Sequence, residues 1–371
     1  MIENKDFVKT LIKNKINFFT GVPDSLFKNL CLHLDSKYRN DNFITANEGS
    51  SIGIGIGYNL STKKIPLVYL QNSGLGNIIN PILSMADKKV YGIPMFLLIG
   101  WRGEIFKNKQ IKDEPQHKKQ GEITESLLKV LGIKYKILNS NSDYKKYIKE
   151  LSSYSINNSK PVALLVRKNV FNISKIYKNK EKIFLKREDA LKTVIDSIPR
   201  SSIKISTTGM LSRELNEINQ KIENLRYTFM CVGGMGHAIS IASGIAIKKK
   251  KKKIYCLDGD GSFLMHLGSS STSAKLKNIV HIVFNNRSHD SVGGHQTVAP
   301  DLKLSNIAKS LGYKNAYTIK SKYSIKKILN KYTKIDQNLF LEIICSKGNR
   351  SNLSRPMGKL PDFKKKFINS I

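Results

Sequence analysis

Three observations place this chain in the α/β class, as two doubly wound parallel-sheet domains. Short apolar strands alternate with helical stretches throughout; a Lys- and Asn-rich stretch breaks that rhythm once, near the middle; and 371 residues at 40% hydrophobic content can bury more than one core. In the first half the predicted strands are 17–20, 43–46, 65–70, 94–99 and 162–166, each a short apolar run bounded by polar or turn residues. Helices are expected to begin near Asp24, Gly49, Gly76 and Ile123. A further helix is expected over 142–153, with Asp143 in its first turn to complement the helix dipole. The rhythm is lost from 169 to 186, and residues 171–186 are read as a linker between one domain at 1–170 and another at 187–371. The second series opens with a helix over 187–197 and continues through strands at 203–206, 254–257, 279–284 and 339–345.

Charge and cysteine usage exclude several classes. The chain carries 63 Lys+Arg against 28 Asp+Glu, a net charge of +35 that would ordinarily suggest nucleic-acid binding. The excess is mostly lysine, is spread over the whole chain and travels with abundant Asn and Ile, so it is read as solvated surface, with no nucleic-acid partner expected. A basic nucleic-acid-binding protein is the alternative from a different class; it requires a contiguous Lys/Arg face and a steep salt dependence of binding. The hexalysine run 248–253 lies between a small-residue helix and an apolar strand, where a tight loop must be solvated. Cys31, Cys231, Cys256 and Cys345 are far apart and form no CxxC pair, as suits a reducing compartment. The N-terminus has no leader-like apolar core and no run reaches about 18 uncharged apolar residues, so a cytoplasmic protein without membrane segments is expected.

The most informative chemistry lies in the string Asp-Gly-Asp-Gly-Ser at 258–262. An apolar strand runs into a turn so short of side chains that backbone N–H groups can approach a phosphate, and Asp260 sits at the strand's C-terminal end. Asn285 and Asn286 follow the next apolar strand, and Asn286 is 26 positions beyond Asp260, room for a helix and a parallel return to the same sheet edge. A carboxylate, an amide oxygen, a backbone carbonyl and two diphosphate oxygens would then make a hard oxygen site for Mg2+. Elsewhere, the strand at 43–46 delivers Glu48 just before a helix rich in small residues (Gly49, Ser50, Ser51, Gly53, Gly55, Gly57), and Met235 stands in the glycine run Gly233-Gly234-Met235-Gly236.

The GDG turn followed at this distance by NN resembles the diphosphate-binding signature of thiamine-diphosphate (ThDP) enzymes. The resemblance implies that Asp260 and Asn286, with the Ser288 carbonyl, hold Mg2+, while Gly259, Gly261 and Ser262 line the diphosphate. Arg287 departs from the pattern, where a small residue is expected. By the same resemblance Glu48 is the acid against N1′ of the aminopyrimidine, Met235 is the wedge beneath the cofactor, the Gly233 carbonyl accepts from the 4′-amino group, and Thr207 and Thr208 add cofactor contacts. The implied fold is a pyrimidine-binding domain followed by a diphosphate-binding domain, without the non-catalytic middle domain of the common three-domain decarboxylases.

Several further strings resemble the phosphonopyruvate decarboxylases, with the sulfopyruvate decarboxylases as near relatives: Gly21-Val22-Pro23-Asp24-Ser25, Gln71-Asn72-Ser73-Gly74-Leu75-Gly76, Trp101-Arg102-Gly103, Asp113 to His117, His289 to Gly294, and the tail 348–356. This resemblance implies decarboxylation of 3-phosphonopyruvate to phosphonoacetaldehyde within phosphonate biosynthesis, sulfopyruvate or another small 2-oxo acid being the alternative substrate. Asp24 and His117 match the acid/base pair of related enzymes, with Gln116-His117 where adjacent histidines are usual. Ser25, Asn72, Ser73 and His289 are expected as small donors to the anionic 2-oxo acid, and Arg350 and Arg355 as planar partners for its phosphonate. A homodimer or larger homo-oligomer with active sites at subunit interfaces is implied, because in this superfamily different subunits hold the two ends of one cofactor.

Overall fold

The computed structural model describes residues 1–107, 109–172, 185–222, 225–354 and 358–371. The chain divides into two compact units, Met1–Lys178 and Asn179–Ile371. Each is built on a wholly parallel sheet. In the first the strand order is Asn42–Ile44, Phe19–Gly21, Leu67–Gln71, Met95–Gly100, Pro161–Val166, Lys134–Leu138. In the second it is Thr228–Met230, Ile203–Ser206, Ile254–Gly259, Ile279–Asn285, Leu339–Ser346, Ala316–Ile319. Numbered in chain order within each unit, these six strands read 2-1-3-4-6-5 both times. Leu185–Lys186 adds a short parallel strand beside Leu339–Ser346.

Alternation of side chains along each strand builds a core on both faces of the first sheet. Leu67, Tyr69, Phe96, Leu98, Val162 and Leu164 pack on one face with Phe7, Leu11 and Phe19; Val68, Leu70, Leu97, Ile99, Ala163 and Leu165 pack on the other with Ile52, Ile78 and Trp101. Both faces are covered, which is why these central strands read as unbroken apolar runs. One face of the second sheet packs Tyr255, Leu257, Val280, Ile282, Phe284, Leu339, Leu341 and Ile343 against Leu191, Val194 and Leu215.

The strands expected at the sheet centres are present, with no boundary moved by more than two residues. Sequence patterning missed Lys134–Leu138, Thr228–Met230 and Ala316–Ile319, which are edge strands; Lys134–Leu138 keeps a largely exposed or half-buried face, so its polar residues break the apolar run. The helix expected from near Asp24 begins instead at Lys28. Asp24 accepts from the Leu26 amide at 2.8 Å in a tight turn, and the helix is not capped by it. The helix expected near Ile123 starts earlier, at Pro115, whose missing N–H suits a first turn. Asp143 caps Tyr144–Asn158 by accepting from the Lys146 amide. Of the expected linker, 173–184 lie outside the described residues; Phe171 bridges to Ile2 and stacks edge-on against Phe7, so that end belongs to the first unit. The hexalysine run begins at the end of helix Ala238–Lys248 and leads to strand Ile254–Gly259. All four cysteines are buried free thiols, and among the described residues no helix is long and apolar enough to cross a membrane.

Candidate active site

Order 2-1-3-4-6-5 puts a switch point between strands 1 and 3, where successive crossovers leave in opposite directions and open a crevice at the C-terminal strand ends. In the second unit this crevice is lined by the ends of three elements: Thr207, Thr208 and Gly209 after strand 1; Gly259, Asp260, Gly261 and Ser262 after strand 3; and Asn286, Ser288, His289, Asp290 and Ser291 after strand 4. Met235, on the loop after strand 2, completes it.

Asp260 is buried and opens the short helix Asp260–Met265; its carboxylate accepts from the Thr297 hydroxyl. Burial pushes its carboxyl up to about 7, against the lowering effect of that hydrogen bond. Asn286 donates to Asp290 Oδ2 at 2.7 Å and accepts from the Ser288 amide at 3.2 Å. Asp290 is held in turn by Arg187 Nη1 at 2.7 Å, and Arg187 grips Glu214 with Nε and Nη2 at 2.9 Å each. Ser262 accepts from Thr207 at 2.8 Å and from the Gly236 amide at 3.1 Å, tying the GDG turn to strand 1 and to the 231–237 loop.

Two glycines are required by close approach. A Cβ on Gly261 would lie 2.7 Å from His289 Cε1 and 3.2 Å from Met235 Cε, so both side chains pack directly on the turn. Gly236 has φ +87°, and a Cβ there would meet the His266 ring at 2.4 Å. His266 stacks on His237 with ring centroids 4.5 Å apart. Burial and the nearby His295 lower the His289 imidazole to about 4, leaving it neutral at physiological pH.

The donor set fits a hard divalent cation and a diphosphate. Asp260 is a buried carboxylate with no cationic side chain paired to it among the described residues, a cost that a divalent ion would relieve. Ser288 Oγ lines the crevice, buried and without a hydrogen-bond partner. Beside Gly259 there is open space where a side chain would otherwise stand.

In the first unit the equivalent strand ends carry the other predicted residues. Glu48, the first residue of helix Glu48–Thr62, is buried after strand 2 and accepts from Asn77 Nδ2 at 2.7 Å. Gly74 lets it approach, since a Cβ there would lie 2.5 Å from Glu48 Oε1. Asp24, after strand 1, is fully buried and hydrogen-bonded by Gln71. Burial raises its carboxyl despite the Gln71 and Leu26 donors and the Arg102 charge. His117 is buried in the first turn of helix Pro115–Val130; burial and then the Arg102 charge lower its pKa, and its Nδ1 has no hydrogen-bond partner.

Arg102 ties this group together. It forms an ion pair with Asp113 and donates from Nη1 to Ser25 Oγ at 3.1 Å. Asn72 clasps the Arg102 backbone, donating to its carbonyl at 2.9 Å and accepting from its amide at 3.2 Å, and also donates to Thr124. Ser73 donates to Gln71 at 2.9 Å. Arg350 is engaged by Glu188 and Glu217, and Arg355 lies outside the described residues.

The structure thus gathers Thr207, Thr208, Met235, Gly259, Asp260, Gly261, Ser262, Asn286, Ser288 and His289 around one crevice. Gly233 lies on the 231–237 loop beside Val232, whose carbonyl accepts from Thr208 at 3.0 Å. Sequence reasoning missed Arg187, Glu214, Asp290, Thr297, Asn77 and Arg102 as contributors. Asp290 and Arg102 stand inside strings singled out above and drew no role; the others carry no local signal.

Residues 4–129 match the family model described as the N-terminal TPP binding domain of thiamine pyrophosphate enzymes, and residues 207–343 match their C-terminal TPP binding domain. A phosphonopyruvate decarboxylase from Streptomyces viridochromogenes is 27% identical over 375 residues, covering 96% of this chain and 91% of that protein. A sulfopyruvate decarboxylase subunit alpha from Methanococcus maripaludis is 34% identical over 158 residues, 43% of this chain and 90% of that subunit. Among solved structures, benzoylformate decarboxylase from Polynucleobacter necessarius aligns with 94% of this chain and 100% of its own at 11% identity, with a TM-score of 0.39.

Proposed function

The chain belongs to the thiamine pyrophosphate enzymes, in the group that holds phosphonopyruvate and sulfopyruvate decarboxylases, and from that premise we propose that it decarboxylates 3-phosphonopyruvate to phosphonoacetaldehyde and CO2 with ThDP and Mg2+. The observation that carries the proposal is the crevice of the second unit, where a buried carboxylate, an amide and a glycine turn meet at one switch point. In this assignment Asp260, Asn286 and the Ser288 carbonyl hold Mg2+. Thr207, Thr208, Gly259, Gly261 and Ser262 contact the diphosphate, and Gly233 and Met235 face the ring system. When bound, ThDP supplies a carbon nucleophile and a sink for the electron pair that the departing carboxylate leaves behind.

In the first unit, Glu48 holds and moves the proton at N1′ of the aminopyrimidine. Asp24, with its raised pKa, is suited to keep a proton for delivery to substrate, and His117, with its lowered pKa, to accept one. Ser25 and His289 are assigned as donors to the substrate's anionic groups. Asn72, Ser73 and Arg350 would have to exchange the partners they already hold to do the same, and Arg355 joins them as a candidate. We further propose a cytoplasmic homodimer or larger homo-oligomer acting in phosphonate biosynthesis; the four buried free thiols support a reducing compartment.

The test is a side-by-side measurement of kcat/KM for phosphonopyruvate, sulfopyruvate and pyruvate with ThDP and Mg2+, CO2 release being followed for all three and the phosphonopyruvate product identified by phosphorus NMR. Phosphonopyruvate should be preferred, with a phosphonoacetaldehyde resonance growing in. Preference for sulfopyruvate would transfer the assignment to that substrate, and no turnover of any 2-oxo acid would overturn it.

A further inference from the structure

A buried carboxylate with no charge partner stands behind the proposed metal ligands. Glu342 is the one charged residue in strand Leu339–Ser346, is 1% exposed, and pairs with no cationic side chain among the described residues. Such a group is tolerated only when hydrogen bonds satisfy it. Three donors do so: Asn285 Nδ2 at 2.7 Å, Thr318 Oγ1 at 2.6 Å and the Ser305 amide at 3.3 Å.

The other end of Asn285 reaches forward. Its Oδ1 accepts from the Arg287 amide at 3.2 Å, and the next asparagine repeats the pattern, with Asn286 Oδ1 accepting from the Ser288 amide at 3.2 Å. Two successive asparagine turns therefore shape residues 285–288. Between them Arg287 sits at φ +58°, the left-handed region, which a non-glycine residue occupies at a cost in steric strain. The asparagine turns on either side hold an exposed arginine there.

We propose that Asn285 and Glu342 are positioning residues for the metal, forming a strut that runs from the sheet interior to the Arg287 amide and sets the turn presenting Asn286 and the Ser288 carbonyl. This rests on the assignment of Asn286 and Ser288 to Mg2+. It explains why the first asparagine of the pair is needed although only the second ligates: Asn285 has its donor end fixed on a carboxylate, so its acceptor end is the one available to the turn.

The polarity of the strut supplies the test. Glu342→Gln places an amide N–H among partners that mostly donate, and turning the Asn285 amide over to meet it would set two donors against each other at Arg287. Asn285→Asp buries a second carboxylate against the first. The double variant reverses the pair: the new amide at 342 donates to the new carboxylate at 285, which still accepts from Arg287, while the oxygen at 342 still accepts from Thr318 and Ser305.

The readout is ThDP binding by isothermal titration at a series of Mg2+ concentrations, with the full-length protein and without substrate. Each single variant should raise the Mg2+ needed for half-maximal binding about 10–100-fold, and the double variant should recover most of that loss. Native Mg2+ dependence in the single variants, or a double variant as impaired as the two losses combined, would overturn the strut. Should a single variant fail to fold, the double variant is compared with Asn285→Ser: the proposal requires near-native affinity in the former and a loss of about tenfold or more in the latter, and equal affinities overturn it. A native protein that binds no ThDP with Mg2+ would remove the functional assignment and the strut together, whereas native binding with unaffected variants removes the strut alone.

Discussion

Replacing Arg187 by methionine tests the charge cluster that supports the crevice. Arg187 is 7% exposed at its side chain and makes three charge-assisted hydrogen bonds, two to Glu214 at 2.9 Å and one to Asp290 at 2.7 Å, whose side chains are 2% and 6% exposed. Removing one partner of a buried pair typically costs about 3–5 kcal/mol, because the remaining charge stays buried without compensation. Here two carboxylates are left, although Asp290 keeps the Asn286 and Gly348 donors, so the whole of that range is expected. At roughly 2–4 °C per kcal/mol for a domain of this size, the second unit should melt on the order of 6–20 °C lower. Calorimetry of the full chain without cofactor measures the deficit, and the single tryptophan, Trp101, reports the unfolding of the first unit by fluorescence.

The deficit should also depend on pH with a defined sign. Burial already raises the Glu214 carboxyl, and without Arg187 to oppose it, Glu214 rises further above its unfolded value. A raised folded-state pKa gives stability that is complete below the unfolded pKa, roughly 4.3 for Glu, and is lost as pH rises through the folded value. The gap between variant and native should therefore be small near pH 4 and widen toward pH 7. A gap below about 1 kcal/mol at pH 7, within the range of an exposed ion pair, or one that persists undiminished on acidification, would refute the assignment of this cluster as a buried support.

Three other outcomes are expected. Asp260→Asn should abolish Mg2+-dependent ThDP binding in titration calorimetry while leaving the melting of the cofactor-free protein unchanged or higher, since a buried unpaired carboxylate is removed; undiminished binding would exclude Asp260 as a ligand. Glu48→Gln should cut kcat by about 10²–10⁴ while ThDP still binds, and a full rate at saturating ThDP would remove Glu48 from the proton transfer. Gly261→Ala should weaken ThDP binding, because a Cβ 2.7 Å from His289 forces that ring and Met235 off the turn; unchanged affinity would mean that neither side chain is set by the turn.

Much of this arrangement was legible in the sequence wherever the signal is local. The central strands show as apolar runs because helices cover both faces, and the GDG turn shows because two glycines flank an aspartate directly after an apolar strand. Edge strands such as Lys134–Leu138 lacked that signal, since one side of the pairing is missing and polar residues intrude. Pairings between distant positions were invisible for a different reason. Arg187 meets Asp290 across 103 positions and Glu214 across 27, and a lone arginine at a helix start reads as surface until the fold buries it. The helix expected from near Asp24 was displaced to Lys28 for a related reason: the Asp24 carboxylate is engaged by a two-residue turn to Leu26 and by Gln71, which lies at the end of strand 3 beside it.

The shared strand order explains why two sites of different chemistry occupy corresponding places. In each unit the segment that follows strand 2 carries a residue assigned to the cofactor's ring, Glu48 at a helix start in one and Met235 on a loop in the other, and strands 1 and 3 end side by side at the switch point. What differs is the segment after strand 3. In the second unit Gly259-Asp260-Gly261 exposes backbone and one carboxylate, which suits a metal and phosphates. In the first, Gln71-Asn72-Ser73 exposes amide and hydroxyl groups that bind one another, Asp24 and the Arg102 backbone, which suits an uncharged ring and proton transfer. Placing Asn or Ser at 260 would convert the second crevice toward the character of the first, and the loss of metal dependence expected for Asp260→Asn is the measurable form of that difference.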